Sequence, residues 1–280
     1  MKRVTIASQD DIHLLARRLD FHIFRGDKED RPIKSKLART LEALGVERGN
    51  YKNRENNLIR EFRSRISLYE KIAFREDDQI GCCSLMQHYG APTRLIDFTS
   101  SLYVALFFAV EDIEHKKDSV IWCLNEMVIR DHAINRDAVS ATDGNEAQQQ
   151  HEKMRSLANG VLLSRTAGDC SSLLVVHPMM KNERLSRQQG LFIFPRDIDK
   201  SVNDILASDF SCPIDEVACN VSAFDKVNAE EFALKIIIPK ELRRELLLGL
   251  LHKMNLIHEV LFPGIDGFCK SMFYHCSVYS

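Results

Sequence analysis

GCCSLMQHYGAPTRLIDFTSSLYVALFFAVED, residues 81–112, decides how this chain is read. Charges are few in it, yet hydroxyl, amide, imidazole and guanidinium groups stand among residues that a plain core element would use. The first part is helical up to about Tyr89, where Gly90, Ala91 and Pro92 break the helix. Arg94 to Phe98 then reads as a short strand. Ser100 or Ser101 is placed to cap the next helix, whose LYVALFFAV run is apolar nearly all round and is therefore expected to be buried. Polar groups are being organised at the ends of buried elements.

Upstream, SQDDIHLLARRLD (8–20) begins with an N-cap and an acidic first turn and leads into the strand FHIFRG, after which a polar loop follows. In NRENNLIREFRSRISLYEKIAF (53–74), Leu58, Phe62, Ile66 and Tyr69 recur on one face, as in a surface helix. Downstream, SVIWCLN (119–125), SLLVVHP (172–178), GLFIFP (190–195) and FALKIIIP (232–239) read as strands. Helices and strands are interspersed without a regular βαβ rhythm, which predicts an α+β fold with a mixed β-sheet core and surrounding helices. One domain over 1–280 is expected, with a helical insertion at 53–90, a polar insertion or lid at 130–160, and a C-terminal helical segment at 239–280 that opens on Pro239.

Composition limits the function classes. At 280 residues and 45% hydrophobic, the chain can bury a full core. With 38 basic and 40 acidic residues, the net charge of -2 provides no overall field toward nucleic acid or an anionic membrane. No stretch reads as a signal peptide or a membrane span, so a soluble, cytoplasmic protein is expected. The 8 cysteines are scattered and form no CxxC pair. Cys212 with Cys219, Cys269 with His275 and Cys276, and His252 with His258 lack the short paired spacing of a zinc site, so no metal is expected and most cysteines read as reduced, buried small hydrophobes. Cys83 and His88 do not share a helix face cleanly and no glycine-flanked elbow surrounds a serine, which speaks against nucleophilic Cys/His or Ser chemistry.

FRG at 24–26, QHYGAPTRLIDFTSSLYVALFFA at 87–109, RQQGLFIFP at 187–195 and the tail LFPGIDGFCKS together resemble the FRG domain family, named for its Phe-Arg-Gly motif. A more distant resemblance is to enzymes of the ADP-ribosyltransferase type. These show an arginine on an early strand, a Ser/Thr-rich strand before an apolar helix, and a catalytic glutamate on a late strand. Arg25, then Thr99, Ser100 and Ser101, then Gln188 and Gln189 follow that order, with amides where the acid is expected. The resemblance implies a split sheet and NAD as substrate, either hydrolysed or used to modify a macromolecular acceptor, with no cofactor bound permanently. It also implies a toxin or phage-defence effector.

The residue chemistry suits those roles. A planar guanidinium at Arg25 can fork onto a phosphate or hold a ribose hydroxyl, and Gly26 would leave room for the ligand. Thr99 and Ser100 could hold the nicotinamide ribose, and His88, Tyr89, Arg94 and Gln188 could line the cofactor's path. Gln189 could orient a hydroxyl. Glu183 and Asp97 are the candidate replacements for the missing acid, since cleavage at the nicotinamide bond builds positive charge on the ribose. Structural roles compete at each position: an Arg25–Asp97 ion pair, Ser100 as a helix cap, His88 at a helix C-terminus, Tyr89 in the core, and Gln188 and Gln189 tying a loop. Two further function classes remain open, a non-catalytic nucleotide-binding or sensing module and a nucleic-acid-processing defence protein.

Overall fold

The computed structural model describes residues 1–72, 74–137, 146–164, 172–179, 182–210, 212, 217–219, 221 and 232–278. Strands arise where short apolar runs are buried on both faces. Ser119–Asn125 (β4) is buried at every position; Val120, Trp122 and Leu124 point into one core, while Ile121 and Cys123 point into the other. β4 pairs antiparallel with His22–Asp27 (β2) on one side and with Ala233–Ile238 (β8) on the other. Beyond β2 lie Ile96–Thr99 (β3), Gly190–Pro195 (β6) and Leu173–Val176 (β5), each antiparallel to its neighbour. Beyond β8, Lys2–Thr5 (β1) pairs in parallel with β8 and with Val217–Cys219 (β7). The fold is α+β, with one mixed eight-stranded sheet in the order β5-β6-β3-β2-β4-β8-β1-β7.

Helices cover both faces. Leu102–Val110 (α5), capped by Ser101 accepting from the Val104 amide, packs with Gln9–Ala16 (α1) and Arg243–Met254 (α10) over one face. Val202–Asp209 (α9) supplies Val202, Ile205 and Leu206 to the opposite face. Tyr51–Arg65 (α3), Gln79–His88 (α4) and Glu146–Leu163 (α7) build a third cluster over Leu174, Val176, Phe192 and Phe194. Helix α3 stops short of the predicted extent, and Tyr69, expected on its apolar face, is exposed. The polar stretch 130–160 contains the end of Glu126–Arg136 (α6) and most of α7, and these bury Ala133, Met154 and Ala158 against the sheet edge, so this part is a wall of the core. Residues 138–145 of the expected lid lie outside the described residues. Lys36–Ala43 (α2) occupies what reads as a polar loop, since Leu37, Ala38 and Leu41 recur at helical spacing over a Ser35 cap. Among the described residues, no helix is long and apolar enough to cross a membrane.

The sheet is one hydrogen-bonded array, and the expected split is confined to a single seam. β2 and β3 share one ladder pair, Phe24 with Thr99, after which β2 continues beside β4 alone and β3 beside β6. Gly26 lies at this divergence. A Cβ there would stand 1.8 Å from the Ala105 carbonyl oxygen and 2.8 Å from the Ala109 nitrogen, so the glycine is required by the approach of α5. The sequence-based expectation that Gly26 makes room for a ligand is thus corrected: the space it leaves is filled by helix backbone.

Gly26→Ala should destabilise the fold by about 3 kcal/mol or prevent folding, because a helix backbone cannot yield as a side chain can; urea unfolding measures it. A second test concerns His22, a buried side chain whose pKa burial lowers to about 4 from the ordinary 6.5. The unfolded chain takes up the proton more readily, so the stability contribution is full above 6.5 and is lost as pH falls through 4. His22→Leu should remove about 3 kcal/mol of the stability loss that urea unfolding records across that range.

Candidate functional site

Two hollows meet at the β2–β3 seam. The larger, of about 530 Å³, lies between β2, α5 and the C-terminal helices His258–Leu261 (α11) and Ile265–Val278 (α12), and includes Phe108, Glu111, Asp112, His258 and Lys270. The smaller, of about 290 Å³, lies toward α2 and α4 and includes Lys36, Arg39, Gln87 and His88. Arg25, Asp97, Arg184 and Gln188 line both. Arg184 and Gln188 come from Glu183–Arg187 (α8) and the turn after it, so three remote segments converge on one cleft.

Arg25 stands at the centre, and its partners show what the guanidinium does unaided. Nε and Nη2 donate to the two Asp27 carboxylate oxygens at 2.9 and 3.1 Å, and Nη1 donates to the Asp97 carbonyl at 2.9 Å. Arg25 and Asp27 are two apart on one strand and so share a face. The bond to Asp97 is made to its carbonyl where the β2–β3 ladder has lapsed. The competing structural role of Arg25, a salt bridge, is thus present with Asp27 in place of Asp97, together with a backbone tie to β3. A guanidinium has five N–H donors, and these bonds engage three of them.

The other sequence candidates divide. Thr99 is buried; its hydroxyl donates to the Gln188 carbonyl at 2.7 Å and accepts from the Ser101 amide at 3.0 Å, so it ties β3 to the α8 turn at the cleft wall. Gln188 lines both hollows and donates to the Leu261 carbonyl at 3.1 Å. His88 lines the smaller hollow, where burial and then Arg184 lower its pKa, favouring the neutral imidazole. Asp97 is exposed at the junction, and its carboxylate accepts from Gln87 at 2.7 Å.

Four candidates lie elsewhere. Ser100 and Gln189 do not line either hollow; the Ser100 hydroxyl is 3.4 Å from the Gln189 carbonyl and amide oxygens. Gln189 has a φ of 48°, a left-handed turn residue whose carbonyl accepts the Ser100 amide at 3.1 Å. Glu183 is exposed and pairs with Arg187 at 2.6 Å. Tyr89 is exposed and donates to Glu70 at 3.1 Å, so neither cleft stacking nor core packing describes it.

Arg94 is corrected most completely. It is fully enclosed, donating from Nε to Glu55 at 2.8 Å and from Nη2 to the other Glu55 oxygen, with Nη1 on the Arg196 carbonyl at 2.7 Å. Its guanidinium also lies over the Phe194 ring. Lys52 shares Glu55 at 3.2 Å, so this ion network belongs to the core beneath α3.

Several cleft residues carry no motif. Arg31, Arg39, Lys28 and Lys270 add to Arg25 and Arg184 in making the cleft walls cationic. Partial burial, then Arg31 and Arg25, lower the pKa of Arg39. Among the described residues Arg31 and Arg39 make no ion pair; both are exposed, so water screens their repulsion, and Asp27 offsets part of it at Arg39. Arg184 is held over the Phe262 ring at 4.7 Å. Glu111, just after α5, lies 2.9 Å from His258 Nε2, while His258 Nδ1 lies 3.0 Å from the Tyr274 hydroxyl. Burial and then Glu111 push the Tyr274 phenol far up, so it keeps its proton, and the His258 ring stands between the Tyr274 hydroxyl and the Glu111 carboxylate. Glu111 was within sight in the sequence, one residue past the apolar helix; nothing in the sequence tied His258 or Arg184 to it.

A family model described as the FRG domain matches residues 21–118, which takes in the Phe-Arg-Gly strand, β3 and α5. The α8 turn and the C-terminal helices lie beyond that match. No curated protein and no solved structure matches the chain.

Arg94→Gln should cost about 3–5 kcal/mol, because it strands the buried Glu55 carboxylate. Arg25→Lys, at a half-buried pair, should cost about 1 kcal/mol. Thermal unfolding of the two variants side by side checks the contrast.

Proposed function

We propose that this chain, which carries an FRG domain over residues 21–118, binds an NAD-type dinucleotide in the cleft at the β2–β3 seam and cleaves its nicotinamide–ribose bond. The single observation that supports this most is that two guanidinium groups, Arg25 and Arg184, are shared by the two hollows, with Arg31 in the larger and Arg39 in the smaller. A dinucleotide has two bulky halves joined by a doubly charged pyrophosphate. Two adjoining hollows with guanidinium groups at their junction match that shape and charge. The larger volume falls within the roughly 300–1,000 Å³ of small-molecule sites.

In this reading the pyrophosphate lies between Arg25 and Arg184, and the nicotinamide riboside occupies the larger hollow beside Phe108 and Glu111. Cleavage breaks the C1′–N bond, and nicotinamide leaves with the electron pair. Water, or a nucleophile on a macromolecular acceptor, supplies the electrons of the new bond at C1′ and loses a proton. Positive charge builds on the ribose in between. Glu111 brings a carboxylate to that end of the cleft, and His258 fixes its orientation through the Tyr274 relay. Glu111 therefore takes the role for which Asp97 and Glu183 were the sequence candidates. Glu183 points away, and Asp97 sits at the junction where its charge would oppose a phosphate.

A second reading has its own support: amides occupy the late-strand positions, and Gln188 and Gln189 are spent on backbone ties. A non-catalytic nucleotide sensor would need only the cationic junction.

Calorimetric titration with NAD, together with chromatography of released nicotinamide, tests both. Binding and release are expected, with Arg184→Gln weakening binding at least about tenfold. Glu111→Gln should keep binding within a few-fold and lower release about 100-fold. Binding without release would favour the sensor, and no binding would overturn both readings.

A further inference from the structure

We propose that Glu126, His151 and His177 form a binding site for a zinc-class divalent cation, separate from the cleft. Glu126 opens α6 directly after β4, His151 lies within α7, and His177 follows β5. His177 Nε2 and His151 Nε2 converge on one carboxylate oxygen, Glu126 Oε1, at 2.9 and 3.6 Å. The three donor atoms all lie within 4.8 Å of one another, and no other group of His, Cys, Asp or Glu converges so closely among the described residues. The two imidazoles stack with centroids 3.9 Å apart and planes 26° apart.

Those spacings fit a tetrahedral ion. Zinc takes imidazole nitrogen and carboxylate oxygen at about 2.0–2.2 Å, which places neighbouring donors about 3.3 Å apart. The observed 2.9 and 3.6 Å lie on either side of that value, so small side-chain rotations would seat an ion between the three. Two neutral imidazoles and one carboxylate leave a fourth position for water, the donor set of an accessible zinc site. All three side chains are partly exposed, so an ion can enter from solvent.

The donors are also held in place before an ion arrives. The Glu126 amide donates to the Phe21 carbonyl at 2.9 Å, and Asn125 caps α6 through the Met127 and Val128 amides. Met154, one turn beyond His151, is anchored in the core, and Val176 next to His177 is fully buried. A bound ion would cross-link α6, α7 and the end of β5, which belong to the wall at that edge of the sheet. The sequence does not reveal the site because its ligands stand 25 and 26 residues apart, without the short paired spacing of a zinc motif.

The full chain, stripped with EDTA and dialysed metal-free, should bind one Zn²⁺ per chain, with a rise in Tm on addition of Zn²⁺. Bound Co²⁺ should give visible bands of a nitrogen and oxygen site without a thiolate charge-transfer band. His151→Gln and His177→Gln should each lose the bound equivalent and the Zn²⁺-dependent Tm shift. The proposal is overturned if the folded wild-type chain takes up no Zn²⁺, if Co²⁺ shows thiolate ligation, or if the folded variants bind like wild type.

Discussion

Helix α5 lies so close to β2 that only a glycine at position 26 can separate them. That contact fixes the last residues of β2 beside the helix and against β4 while β3 turns away with β6, and it opens the seam in which both hollows lie. Arg25, one residue earlier, faces away from the helix and reaches across the seam to the Asp97 carbonyl. The Phe-Arg-Gly motif is therefore a mechanical unit: a core ring, a guanidinium that bridges the gap, and a glycine that sets its width.

The charged residues fall into two populations with opposite energetics. Arg94, Glu55 and Lys52 are enclosed and mutually paired, Arg243 is enclosed against the Asp112 and Lys117 carbonyls, and buried Lys235 reaches the exposed Asp30. Their hydrogen bonds offset the cost of taking charge out of water. In the cleft the positive groups outnumber their partners, and Arg31 and Arg39 stand beside Arg25 without ion pairs of their own among the described residues. In the proposed reading an anionic ligand completes this excess. The Glu111–His258–Tyr274 chain lies at the far end of the larger hollow, and in the proposed reading its carboxylate faces the developing cation.

The α+β class and the inner strands β2, β4, β6 and β8 are legible in the sequence because each is a short apolar run that reads the same in any context. β1 and β7 are not, since KRVT and VAC are too short to show a period and depend on pairing with β8 and with each other. Of the motif segments 24–26, 87–101 and 187–190, Arg25, Asp97, Thr99 and Gln188 line the cleft, whereas Ser100 and Gln189 do not. The roles of individual residues were less legible. Arg94 reads as a cleft cation until Glu55, 39 residues away, is seen beside it. Glu111 reads as the end of a helix until α11 brings His258 to it. Those assignments depend on contacts between distant residues, which local spacing does not encode.

Crystals grown with ADP-ribose give the most direct measurement, because that ligand retains the pyrophosphate and both riboses without the scissile bond. The account predicts pyrophosphate density within hydrogen-bonding distance of both Arg25 and Arg184, with the free ribose turned toward Glu111. Density at another surface, or a cleft left empty at saturating ligand, would contradict it.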